Sequence, residues 1–166
     1  MLLNTKHFDE IEVDENKILD FSDGIPGFEA LTKFVIIHNP EEEVPFQWLQ
    51  SVEDTDLAFV IVNPFIFRSD YDFEIPKSTL EKLQIQSPED VSVFTIVIIP
   101  EDIKKMTANL RAPIIINTKN NKAKQIVLDD ENYHTKHYIL EEMKNASAKP
   151  QQILEAEEPQ VAEEAR

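Results

Sequence analysis

The apolar residues of this chain fall in short blocks separated by prolines and polar turns, with no long stripe at helical spacing. Runs of about four to eight apolar residues bounded by turn signals favour strands over helices. Phe34-Val35-Ile36-Ile37, Leu57-Ala58-Phe59-Val60-Ile61-Val62 and Val93-Phe94-Thr95-Ile96-Val97-Ile98-Ile99 are nearly continuous and rich in β-branched side chains. Such runs are expected of strands covered on both faces. Pro40, Pro64 and Pro100 follow these blocks and Pro113 precedes another, at positions where a missing N–H is tolerable.

Three hairpins follow from the spacing. Asp9-Glu10-Ile11-Glu12-Val13 alternates and is predicted to pair with Ile18-Leu19-Asp20-Phe21 across Asp14-Glu15-Asn16. Phe46 to Ser51 is predicted to meet the Leu57 strand across Glu53-Asp54-Thr55-Asp56. Ile114-Ile115-Ile116 and Gln125-Ile126-Val127-Leu128 flank an asparagine-rich turn, whose Asn residues tolerate left-handed backbone. Helix is scarce. Ser78-Thr79-Leu80-Glu81 is a capping-box pattern and predicts one short helix. Glu101 to Met106 places acids first and lysines last, which suits one or two turns. The expected fold is mainly β: a small antiparallel β-barrel-like single domain with one or two short helices, with a sandwich as the alternative. Residues 1–140 form the predicted domain. Residues 141–166 read as an acidic, flexible tail, with a short docking helix through Leu154 as the other reading.

Charge narrows the function. Of 166 residues, 32 are acidic and 16 basic, giving a formal net charge of −16. Phosphate binding depends on clustered Lys and Arg, so direct nucleic-acid binding is not expected. An anionic surface instead steers basic proteins toward it, although solubility alone also explains such charge. The absence of cysteine excludes disulfides, thiolate metal sites and a thiol nucleophile. No apolar run approaches the ~18 residues of a membrane span, and the expected location is the cytoplasm.

The two glycines of the chain sit together in Asp23-Gly24-Ile25-Pro26-Gly27-Phe28-Glu29. Phosphate-binding loops and nucleophile elbows each require glycines that this chain does not have elsewhere. His134 and His137 lie three apart and would share a face on a helix, but Lys136 beside them opposes a metal and no His-Glu-x-x-His pattern is present. His7 and His38 are isolated in sequence and read as structural. The acidic clusters carry no EF-hand glycine, and no pair of carboxylates is singled out for acid–base work. No catalytic residue, metal or cofactor is predicted, and the chain reads as a non-enzyme. What remains are corners suited to protein contact: Pro64-Phe65-Ile66-Phe67-Arg68 and Asn109-Leu110-Arg111-Ala112-Pro113. Taken singly, such residues more often complete a local core.

The ordered set Phe21-Ser22-Asp23-Gly24-Ile25-Pro26-Gly27-Phe28-Glu29, Pro45-Phe46-Gln47-Trp48-Leu49-Gln50-Ser51, Leu57-Ala58-Phe59, Asn63-Pro64, Asp70-Tyr71 and Asn109-Leu110-Arg111-Ala112-Pro113-Ile114 resembles the bacterial flagellar assembly factor family FliW, over about residues 1 to 140. The resemblance implies a β-barrel-like protein without enzymatic activity and with two cytoplasmic protein partners, flagellin and the translational repressor CsrA. In the family scheme flagellin occupies the factor until it is secreted. The released factor then binds CsrA and relieves repression of flagellin messenger RNA. The partner contacts are expected near Phe65, Tyr71, Asn109, Leu110 and Arg111, on a monomer. The alternative function is a barrel that binds or processes a small ligand in its interior; an acidic mimic of nucleic acid is a third.

Overall fold

The structure is a computed structural model that describes residues 1–41 and 44–148. Strands dominate, as the blocks predicted. The order is β1 (Leu2–Thr5), β2 (Asp9–Glu12), β3 (Leu19–Asp20), β4 (Lys33–Ile37), β5 (Gln47–Ser51), β6 (Ala58–Val62), α1 (Lys77–Lys82), β7 (Val91–Ile98), β8 (Thr107–Ala108), β9 (Ile114–Asn117), β10 (Lys122–Gln125), β11 (His137–Tyr138) and α2 (Ile139–Ala148). Short 3-10 turns fill several connections. Nine strands share one sheet in the order β11-β8-β7-β6-β5-β4-β3-β10-β9, and an additional β7–β9 pairing closes seven of them on themselves. This is a mainly β, barrel-like fold, and closure removes the exposed edges that an open sheet would leave.

Contacts divide the chain into two compact units. The first comprises Met1–Ile61, Glu74–Val93 and Ile114–Ile126; the second comprises Val62–Phe73, Phe94–Pro113 and the described residues from Val127 onward.

In the first unit the meander β3-β4-β5-β6 is antiparallel throughout, with Leu19 opposite Phe34 and Phe34 opposite Ser51. The second predicted hairpin is present; the third is present with its second strand earlier than expected, at Lys122–Gln125 and not at Gln125–Leu128. β5 pairs with β6, with Leu49 facing Phe59, and β9 pairs with β10 around a turn whose Asn121 adopts φ 62°. The buried rings of Phe21 and Phe34 pack edge to face at 5.3 Å, a favoured aromatic geometry.

Three local expectations are corrected. β2 pairs with β1 rather than with β3. The N-terminal strand alternates exposed and buried positions, and its Leu3 joins Val13 and Val35 in a small cluster, burial that the predicted pairing would not provide. The helix after Pro76 starts earlier than the capping box implied: Pro76 itself is the cap, no side chain bonds there, and Ser78 lies inside α1. The sheet also contains a parallel element, Lys122 of β10 opposite Asp20 of β3.

The glycine corner follows β3. Gly24 and Gly27 adopt φ +70° and +90°, conformations that L side chains disfavour. Ile25 is buried, while Phe28 stays partly exposed against Phe59 at 5.4 Å. Asp23 ties the corner down through Lys124 at 2.7 Å and Lys82 at 2.6 Å. These lysine bonds, that of Lys124 first, hold the Asp23 carboxyl below the usual carboxylate range.

Of the expected C-terminal tail, residues 139–148 form α2. The rest, including Leu154, lies outside the described residues. Among the described residues no helix is long and apolar enough to cross a membrane.

Candidate protein-binding surface

All five residues predicted for partner contact fall in the second unit. β6 stops at Asn63, whose side-chain oxygen accepts the N–H of Phe65 at 2.9 Å and caps a 3-10 turn, Pro64–Ile66. Proline suits the first position of such a turn because its missing N–H would have no partner there. The turn drives Pro64 and Phe67 inward and leaves Phe65 and Ile66 outward, at 41% and 43% exposure. The chain then bends back, with Tyr71 N–H donating to the Arg68 carbonyl at 3.0 Å.

Tyr71 is buried. Its ring meets Tyr133 edge to face at 4.7 Å and lies 5.9 Å from Phe65 and 5.2 Å from Phe73. Its hydroxyl donates to the Leu110 carbonyl at 2.6 Å. Burial, helped by the neighbouring Tyr133, pushes the Tyr71 hydroxyl well above the ordinary phenol range. The phenol is therefore a fixed donor at any physiological pH.

The Asn109–Arg111 turn is held from several sides. Asn109 N–H donates to Ile96 O at 3.0 Å, and its side-chain oxygen accepts from Arg111 N–H at 3.1 Å and Ala112 N–H at 3.0 Å. This is the Asx geometry by which asparagine organises a turn. Leu110 and Arg111 N–H groups both reach the His134 carbonyl at 3.1 Å, and Arg111 O accepts from Leu128 N–H at 2.8 Å. Leu110 is fully buried beneath; Asn109 and Arg111 are half-buried at the surface. Of the five predicted residues, Phe65, Asn109 and Arg111 thus reach solvent, and Tyr71 and Leu110 form the floor joining the two turns.

The sequence reading missed the polar clamp behind this floor. Arg68 sends Nε to Asp70 at 2.8 Å and Nη1 to Glu142 of α2 at 3.2 Å, and its guanidinium stands 5.4 Å over the Tyr133 ring, a cation–π arrangement. The other oxygen of Glu142 lies 2.9 Å from His137 Nδ1. The backbone N–H of His134 points to His137 Nε2 at 2.7 Å. The two histidines do not share a helix face. They precede α2, with His137 in β11, and their rings stack at 5.2 Å. Both nitrogens of His137 face protein partners. The histidine spacing was visible in the sequence, but the partner of His137 was not, since it sits on a helix that the sequence reading did not predict.

A polar cavity of about 410 Å³ in the first unit is lined by Gln84, Gln86, Asp90, Asn117, Lys119 and Asn120. It contains neither Arg111 nor a histidine.

The fold and this cluster define a small β-rich protein whose most developed polar network braces surface turns. The sequence model of the family described as FliW protein matches residues 2–139. A flagellar assembly factor FliW from Alkaliphilus metalliredigens is 58% identical over 95% of this chain and 98% of its own length. Another, from Thermoanaerobacter pseudethanolicus, is 50% identical over 88% of this chain and 97% of its own. A crystal structure of the flagellar assembly factor FliW superposes with a TM-score of 0.78 at 38% identity, covering 83% of this chain and 96% of that one. The chain belongs to the FliW family.

Proposed function

We propose that this chain is a non-enzymatic flagellar assembly and regulatory factor of the cytoplasm. It binds flagellin and, once flagellin leaves for secretion, binds and antagonises the translational repressor CsrA, so that flagellin messenger RNA is translated. The observation that carries this reading is the family match over residues 2–139. Two turns supply the contact groups, Phe65 as an exposed apolar anchor on one and the polar side chains of Asn109 and Arg111 on the other, linked through Tyr71 and Leu110. Rigid turns suit recognition because little conformational entropy is lost when they are engaged. The net charge of −16 suits approach to a basic RNA-binding protein and opposes contact with its RNA.

Calorimetry with purified flagellin and CsrA from the same organism tests this. Binding of both by a monomer, with flagellin blocking the relief of repression in a translation assay, is the expected result. No heat with either partner rejects the assignment. Rising salt is expected to slow CsrA association more than it changes dissociation, because steering acts on the encounter.

A further inference from the structure

One of the supports of the Asn109–Arg111 turn, the His134 carbonyl, is linked to His137 through the backbone of residue 134. A backbone N–H can only donate, so His137 Nε2, 2.7 Å from the His134 N–H, presents its lone pair there. In a neutral imidazole the remaining proton is then on Nδ1, which faces Glu142 Oε2 at 2.9 Å. The peptide that follows, through the His134 carbonyl, accepts both Leu110 N–H and Arg111 N–H at 3.1 Å. From this the geometry points to His137 as a positioning residue whose neutral imidazole sets the 109–111 turn, and whose protonation releases that turn and weakens partner binding there. The binding consequence rests on the contact surface proposed above.

The chemistry is local. Adding a proton to Nε2 places two donors nose to nose at a separation that suits a hydrogen bond, in a buried setting. The Tyr133–His134 peptide must turn, and the His134 carbonyl, on the next peptide across the same Cα, is displaced through the change in backbone dihedrals at His134. Several groups face the imidazole. Glu142 on α2 favours the charged ring, but its other oxygen already holds Arg68, which in turn holds Asp70. The His134 ring stacks at 5.2 Å and Tyr133 lies at 6.5 Å. The strand partner across β8 is Ala108, which brings no charge.

The test is nuclear magnetic resonance on the full chain from about pH 8 to about pH 5, a window that brackets the ordinary imidazole value. The His137 ring and the backbone amides of His134, Leu110 and Arg111 are expected to shift with one common midpoint, and the His134 amide proton to move upfield as its acceptor is lost. His137→Gln places an oxygen that accepts at every pH. It should keep the high-pH amide positions and remove the transition. His134→Asn should retain the transition, since only the backbone of residue 134 takes part. A loop that stays still while His137 titrates overturns the inference, as does an imidazole that stays neutral down to pH 5, or a transition that survives His137→Gln. Calorimetry with flagellin and CsrA separates the two claims. Binding unchanged across the transition overturns the gating while the proposed function stands. No binding at any pH, with the coupled shifts intact, sinks the proposed function and leaves the positioning role of His137 supported.

Discussion

The hydroxyl of Tyr71 and the carbonyl of Leu110 meet at 2.6 Å across 39 positions of sequence, with both residues buried. That bond fastens the loop carrying Phe65 to the turn carrying Arg111, joining two stretches that look independent in the sequence. Energetically it matters most for what its absence would leave: a buried carbonyl without its donor costs more than the bond itself contributes.

Tyr71→Phe should therefore destabilise the protein by about 1–3 kcal/mol while keeping the ring packing on Tyr133. Urea denaturation measures the loss. A change within a few tenths of a kcal/mol would mean that water or another donor takes the place of the hydroxyl.

Alkaline pH should act through the same residue. The folded protein raises the Tyr71 hydroxyl above its ordinary range, and a phenol is neutral when protonated. Its contribution is then fully present below the unfolded value of about 10 and is lost as pH rises beyond it toward the folded value. Melting temperature should fall on that limb more steeply in the parent protein than in Tyr71→Phe.

The two glycines should differ. A methyl group at Gly24 would sit 2.5 Å from the Glu29 Cα and 2.6 Å from its carbonyl oxygen, whereas one at Gly27 would meet nothing within 4 Å. Gly27→Ala should cost only the positive-φ strain, about 1–2 kcal/mol. Gly24→Ala must also displace backbone and should cost clearly more in the same denaturation assay.

Arg111→Glu and Leu110→Ala should separate recognition from folding. The half-buried arginine uses its backbone for the turn, so reversing its charge should leave the melting temperature nearly unchanged and weaken partner affinity in calorimetry. Truncating the fully buried leucine beside it should cost about 2–5 kcal/mol. Equal loss of stability in both variants would place Arg111 in the scaffold.

Acid should loosen the glycine corner. Hydrogen bonds from Lys124 and then Lys82 lower the Asp23 carboxyl, so its stabilisation is present above the ordinary carboxylate value of about 3.9 and disappears as pH falls through the lower folded value. Asp23→Asn should flatten the part of the acid limb below about pH 4 in thermal melts; the effect is small because the pair is partly solvated.

The strands of the sheet were legible because Phe34–Ile37, Leu57–Val62 and Val93–Ile99 carry a strong local signal, and two of the three hairpins followed from turn chemistry. The first hairpin did not, because Leu2–Thr5 is too short to show a period, and Asp9, at φ 53°, was read as part of a strand although aspartate tolerates the left-handed backbone of a turn. The β3–β10 contact was invisible for a different reason: it rests on one residue pair, and no periodicity encodes a parallel bridge between distant strands. At the surface, the aromatic and asparagine corners marked Phe65, Tyr71 and Asn109–Arg111. The clamp behind them was hidden because Arg68 and Glu142 lie 74 positions apart, and their association is a product of the fold alone.

The β3–β10 pairing also bears on the order of events at the ribosome. Lys124 reaches Asp23 across 101 positions, and residue 20 finds its parallel partner only at residue 122. Most of the meander can emerge and pair during synthesis, but its β3 edge stays open until nearly the whole domain has been made. Long-range closure of this kind is slow and exposes unpaired strands. A nascent chain of this protein thus carries an open β3 edge until β10 has been made.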